Sequence, residues 1–261
     1  MKALYIASSG MAAQERNVEV ISNNIANMRT TGYKRARAEF QDLLYQQYRQ
    51  AGATTSENGT MAPVALEVGS GVRTAATPRI MSQGTVAPTE KELDVAVRGE
   101  GYFMVDMPDG RTGYTRDGSF ERSADGQLVT VDGHAIQPGI TIPGNANSVH
   151  ISADGIVEAY LDNDTIPTQI GQLQLARFVN KAGLASAGNN LFVETASSGP
   201  AQVGAPNADG MGDLLQAYLE SSNVNSVTEI ADLIAAQRAY EMNARVISGA
   251  DEMMQATSQL R

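Results

Sequence analysis

The hydrophobic positions of this 261-residue chain change their period twice. At the start, Leu4, Ala7, Met11, Gln14, Val18, Ile21, Ile25 and Met28 recur at alternating steps of three and four. That is an a/d heptad seam with one polar interruption at Gln14, and it predicts a helix over residues 3–28. Thr30-Thr31-Gly32 follows, and Gly32 can adopt the positive φ that closes a helix. At the other end Ser226-Val227-Thr228-Glu229 reads as a capping box that opens a second helix. One seam there runs Ile230, Leu233, Gln237, Tyr240, Ala244, Ile247, Asp251, Met254, and a second runs Ala239, Met242, Val246, Gly249, Met253, Ala256, Leu260. The two seams lie on nearly opposite sides of one helix. A helix on the outside of a globule needs one apolar stripe. A helix with two needs cover on both sides. Only one other long helix is evident, so the remaining stripe calls for other copies of the chain, the alternative being the central helix of an ordinary bundle.

Between the ends the period becomes that of strands. Asp109-Gly110, Asp117-Gly118, Asp125-Gly126, Asp132-Gly133 and Asp154-Gly155 punctuate the middle as hairpin-turn signals. Among them lie Tyr102-Phe103-Met104-Val105, Gln127 to Val131 and Gln172 to Phe178, apolar or alternating runs that predict short antiparallel strands in a sheet or barrel. Residues 46–75 and 196–212 are poor in apolar groups and read as extended connectors. The expected fold class is α+β. N- and C-terminal helices pair as a coiled-coil-like domain (1–33 with 224–261), a connecting segment covers 34–75 with 200–223, and a β-rich middle domain covers 76–199.

Charge and composition narrow the function. The net charge is −10, the opposite of what a polyanion binder collects on its surface, so no nucleic acid is expected. The basic cluster Lys34-Arg35-Arg37 reads as a solvated helix face. The ends differ: residues 1–49 carry seven basic and four acidic groups, residues 213–261 three and seven, which favours pairing of the ends. No cysteine is present, which excludes disulfides, thiolate metal sites and cysteine nucleophiles. No apolar run is long enough for a membrane span. Ser8-Ser9-Gly10 interrupts the early apolar run after five residues, so the first segment reads as a mature helix and not as a cleaved signal.

No constellation carries catalytic chemistry. His134 and His150 have no acidic partners at ligand spacing, and no metal or cofactor is expected. Asp162-Asn163-Asp164 begins like a calcium loop, but Pro167 stands where the loop needs Gly and Leu173 where it needs Glu. Gly99-Glu100-Gly101 lies between strand-like runs and not at a helix start, so it is no phosphate cradle. G-x-S-x-G and P-loop patterns are absent. Asn58-Gly59-Thr60 is a glycosylation sequon only in form. No catalytic residue is predicted.

The stretch Ser22 to Lys34 (SNNIANMRTTGYK), with Asn24, Asn27, Thr31, Gly32, Tyr33 and Lys34, resembles the N-terminal signature of bacterial flagellar rod and hook proteins. Ala236 to Arg245 (AQRAYEMNAR) resembles that family's C-terminal signature, and Leu93 to Phe103 and Tyr114 to Phe120 resemble its middle. Ala3-Leu4-Tyr5, Arg37 to Gln46 and Gly69 to Gln83-Gly84 are similar to its distal-rod branch. Ile25 stands where Leu is commoner and Tyr102 where Phe is usual, without change of packing role.

The resemblance implies a structural subunit, exported through the flagellar type III apparatus without a cleaved signal, that polymerises with itself into a hollow rod in the periplasm. Its implied partners are proximal-rod and hook proteins, the P- and L-ring bushing, the rod cap and the export apparatus. Phe40 and Leu44 fit the family's export-gate pattern, and residues 46–65 would be its rod-stiffening insert. The assembly surfaces expected are Leu4, Met11, Val18, Ile21, Ile25 and Met28 on the first helix. On the second they are Ile230, Leu233, Tyr240, Met242, Val246, Ile247, Met253, Met254 and Leu260. Two other readings compete. A monomeric secreted β-protein such as an adhesin would bury only one face of 226–261. A cell-wall hydrolase would need a cleft with a perturbed carboxylate pair.

Overall fold

A computed structural model describes residues 2–53, 61–162 and 166–259. Asn58-Gly59-Thr60, Asn163-Asp164 and Leu260 lie outside the described residues. The chain forms two compact units, residues 1–25, 36–78 and 226–261 in the first, and 26–35 with 79–225 in the second.

The first unit is built on helix α1 (Lys2–Ala26) and helix α2 (Ser226–Gln259). They pair antiparallel. A Cβ on Gly10 would fall 2.9 Å from the Asn243 amide, and Asn24 hydrogen-bonds Glu229 at 3.0 Å. Each contact lies fourteen residues from the other along both helices, so the register holds over two heptads. Small and polar residues make the shared face. Ala7, Ala13, Ile21 and Asn24 are buried on α1, and Glu229, Ala236 and Ala250 on α2. Small side chains let the two backbones approach closely, and packing then replaces the larger apolar seam that hydropathy picks out.

The remainder of this unit differs from an extended connector. Strand Glu39–Asp42 pairs with Val72–Ala76, and Gln46–Arg49 with Leu66–Val68, all antiparallel. Backbone ladders can order a segment whose side chains bury little, and here the strands are largely exposed.

The second unit is the predicted antiparallel β-structure. Its largest sheet runs in the order Ala185–Gly188, Leu191–Val193, Thr112–Thr115, Tyr102–Asp106, Leu175–Arg177, Gln202–Gly204, with Ile136–Gln137 also pairing Tyr102–Asp106. The strand Tyr102–Asp106 explains its own apolar run. Phe103 joins the cluster of Val95, Phe120, Leu128, Leu173 and Leu214 on one face. Tyr102 and Met104 join Tyr114, Phe178 and Phe192 on the other. A strand covered on both faces has no polar side to show. Four of the five Asp-Gly pairs place Gly at positive φ, Gly110, Gly126, Gly133 and Gly155. Gly118 serves another need: a Cβ there would lie 1.7 Å from the Val95 carbonyl oxygen. The run Gln172 to Phe178 is split, because the chain leaves Thr168–Gln172 in one sheet and enters Leu175–Arg177 in another around buried Leu173.

Candidate assembly surface and signature segment

Helix α1 stops at Ala26, and the signature residues after it form no helix. Met28 stands beyond the helix end and is exposed, so it cannot extend the helical seam. Asn27 begins a turn instead, its backbone carbonyl and side-chain Oδ1 accepting from the amide and hydroxyl of Thr30 at 3.2 and 3.1 Å. Gly32 does take positive φ, +68°, but six residues past the helix. Its amide donates to the Glu220 carbonyl at 2.8 Å. A Cβ there would fall 2.9 Å from the backbone of Arg116 and of Asp117. Asn190 donates to the Thr31 carbonyl at 3.3 Å. The ring of Tyr33 is buried, with the Arg79 guanidinium 5.9 Å from its centroid.

Lys34 corrects the reading of Lys34-Arg35-Arg37 as a solvated helix face. Its side chain is 1% exposed, on an irregular segment, and its ammonium donates to Glu220 Oε1 at 2.5 Å and to the Ser82 carbonyl at 2.9 Å. Glu220 also accepts from the Gly84 amide at 2.8 Å and from Arg116 at 3.5 Å. Arg116 in turn donates to the Val97 and Gly99 carbonyls and lies over the Tyr102 ring. Burial pulls the Lys34 amine below its ordinary range, and Glu220 opposes that shift. Arg37, by contrast, is exposed and pairs with Glu39 at 2.7 Å.

Gly32 should therefore fail for two reasons when replaced. Gly32→Ala is expected to lower the stability of the β-unit by at least about 2 kcal/mol, combining a left-handed backbone with a backbone clash. Gly32→Asn, which tolerates the dihedral but not the clash, should not recover it. Urea unfolding of both variants checks this.

Asn24 is the matching pivot within the helical unit. Its Oδ1 accepts from the Ala36 amide at 2.9 Å, and its Nδ2 donates to the Ala36 carbonyl at 2.8 Å and to Glu229. One side chain thus holds the backbone that leaves α1 and the first turn of α2. Sequence reasoning picked Asn24 from the signature alone. Glu220, Asn190 and Arg116 as partners, and Asn24 as the bridge, were not foreseen.

The predicted assembly residues fall in three groups. Ile21 is buried in the helix pair. Leu4, Met11, Val18, Ile25, Leu233, Ile247 and Met254 are half-buried along it. Ile230, Tyr240, Met242, Val246 and Met253 are exposed. Met242 is 61% and Met253 62% exposed, on a flank of the line that carries buried Ala236 and Ala250. Phe40 is partly exposed on strand Glu39–Asp42, and Leu44 is 89% exposed just after it. Among the described residues no group of His, Asp and Glu could hold a metal, and no helix is long and apolar enough to cross a membrane.

Paired end helices with exposed apolar side chains, carried by a chain with a separate β-unit and no candidate metal cluster among the described residues, define a structural class of protein. Residues 4–34 match the flagella basal body rod protein family. Residues 96–159 match the D1 domain of flagellar hook protein FlgE/F/G, and residues 215–260 match the C-terminal region of the flagellar basal body rod FlgEFG proteins. Flagellar basal-body rod protein FlgG of Caulobacter vibrioides is 55% identical over 261 residues, covering all of both chains. FlgG of Agrobacterium fabrum is 50% identical over 258 residues, 99% of this chain and 98% of its own. FlgF of Caulobacter vibrioides is 32% identical, over 96% of this chain and 94% of its own. The chain belongs to the family of flagellar basal-body rod proteins FlgG. It is a structural subunit of the rod and resides in the flagellar basal body.

Proposed function

We propose that the chain builds the distal rod, a hollow helical homopolymer that transmits torque from motor to hook across the periplasm. One observation carries this reading: α2 buries Ala236 and Ala250, while the apolar side chains Met242, Val246 and Met253 along the flank of that line stay exposed. Contacts that join this face to a different surface of the next copy generate a filament where the rotation between copies does not close into a ring. The rod ends then meet proximal-rod and hook proteins, and its outside passes the P- and L-ring bushing beneath a rod cap. The subunit acts by transmitting force and not by catalysis.

Export runs through the flagellar type III apparatus, with Phe40 and Leu44 as its recognition pair. Residues 2–26 form the partner helix of α2, so their removal by a signal peptidase would uncover a second face. This supports passage without cleavage.

The experiment is deletion of the gene, followed by electron microscopy of isolated basal bodies. Basal bodies that end at the proximal rod, restored to full length by the wild-type chain, are the expected result. Full-length rods in the deleted strain would contradict the reading.

A further inference from the structure

One late segment of the chain ties the separate parts of the β-unit together. Among the described strands, Val95–Arg98 pairs only with Asp213–Gln216, and Val86–Pro88 only with Tyr218–Glu220. Leu214 is 2% exposed and enters the core beside Val95 and Val97. Its amide donates to the Ala153 carbonyl at 3.1 Å. Gln216 reaches the three-stranded sheet that begins at Ala146–Ile151: its Oε1 accepts from the Ile151 amide at 3.0 Å, and its Nε2 donates to the Val149 carbonyl at 2.7 Å. Glu220, at the far end, supplies the carboxylate that faces buried Lys34 and Arg116.

Between its two strands the segment bends at Ala217, which takes φ +61°. A left-handed backbone is costly for alanine and persists only where the surroundings enforce it. Here the Ala217 amide donates to the Asp94 carbonyl and its carbonyl accepts from the Thr89 amide, both at 2.7 Å. The bend lets one segment leave Val95–Arg98 and join Val86–Pro88.

We infer that residues 213–220 are a strap that closes the β-unit, and that the unit has no stable form while the strap is away. Without it two strands lose their ladders, the core loses Leu214, and two buried cations lose their counter-charge. An unpaired buried charge is strongly destabilising, and the margin of a folded domain is small. The consequence is one of timing. Synthesis runs from the N-terminus, so the strands from Val86 to Gly204 are made before the strap. They form the β-unit only once residue 220 has followed. This inference does not depend on the rod reading.

The test is native-state hydrogen exchange on the purified full-length chain. The hydrogen-bonded amides of residues 213–220 are expected to match those of Tyr102–Asp106 and Thr112–Thr115 in protection within about fivefold, because one opening event exposes them all. Strap amides protected more than about fivefold less would show the unit standing with its strap open, and would overturn the inference. Leu214→Ala gives a second measurement. Loss of this buried side chain should speed exchange in the strap and in Tyr102–Asp106 by the same factor, at least about thirtyfold. An increase confined to residues 213–220 overturns the inference too. The wild-type comparison needs no variant, and it decides the matter where Leu214→Ala does not fold.

Discussion

Glu220→Ala is expected to destabilise the β-unit by about 3–5 kcal/mol, the range for removing one partner from a buried ion pair. Glu220 is fully buried and takes hydrogen bonds from Lys34, the Gly84 amide and Arg116. Without it two buried cations face one another with only carbonyl oxygens to hold them. The sign of the pH dependence follows. Burial already holds the folded-state pKa of Lys34 below the ordinary lysine value of 10.5, and Glu220 is the main opposing influence. In the window between the folded pKa and 10.5 the unfolded chain binds more protons, so stability rises with pH. Glu220→Ala lowers the folded pKa further and widens that window. The variant should therefore regain stability on alkalinisation more steeply than wild type. Urea unfolding from neutral to alkaline pH reads both effects. A loss below about 1 kcal/mol would mean that water reaches Lys34.

That cluster also marks where the sequence falls silent. Lys34 and Glu220 are 186 residues apart, and Asn24 and Glu229 are 205 apart. Neither periodicity nor propensity reports such a pair, and a lysine beside two arginines looks solvated until its partner is known. The strands were legible because period-2 alternation, Asp-Gly turns and the apolar run at Tyr102–Asp106 are local signals. The helices were legible for the same reason. The face on which they meet was legible only in part: Ala7 and Ile21 stand on the predicted seam of α1 and are buried, but the rest of the face is chosen by size. Gly10, Ala13, Ala236 and Ala250 allow close approach, whereas a count of apolar residues selects Leu4, Met11, Ile230 and Tyr240. The strands at 39–49 and 66–76 were hidden because backbone ladders, and not buried side chains, order them.

Met242→Asp with Val246→Asp is expected to reduce rod assembly at least about a hundredfold while leaving the monomer intact. Both side chains are exposed in the single chain, 61% and 51%, so the substitution should move its own stability by no more than about 0.5 kcal/mol. In the rod the same positions would place two carboxylates in a desolvated contact, and several kcal/mol of burial cost would oppose each joining step. Swimming and counts of completed rods measure the loss, and thermal unfolding of the purified variant measures the monomer. Normal swimming would show that this stripe faces solvent in the rod. A monomer that melts well below wild type would show that the stripe is needed within the chain.

The absence of cysteine makes a direct test of the central claim available, since one introduced thiol is then the only one in the subunit. Met242→Cys should react rapidly with a water-soluble maleimide in the purified chain, as its 61% exposure requires. In isolated rods the account predicts protection of at least about a hundredfold, because the apolar stripe of α2 is covered by a neighbouring copy. Equal labelling rates in chain and rod would contradict it, leaving α2 a one-sided helix and the polymer held together by other surfaces.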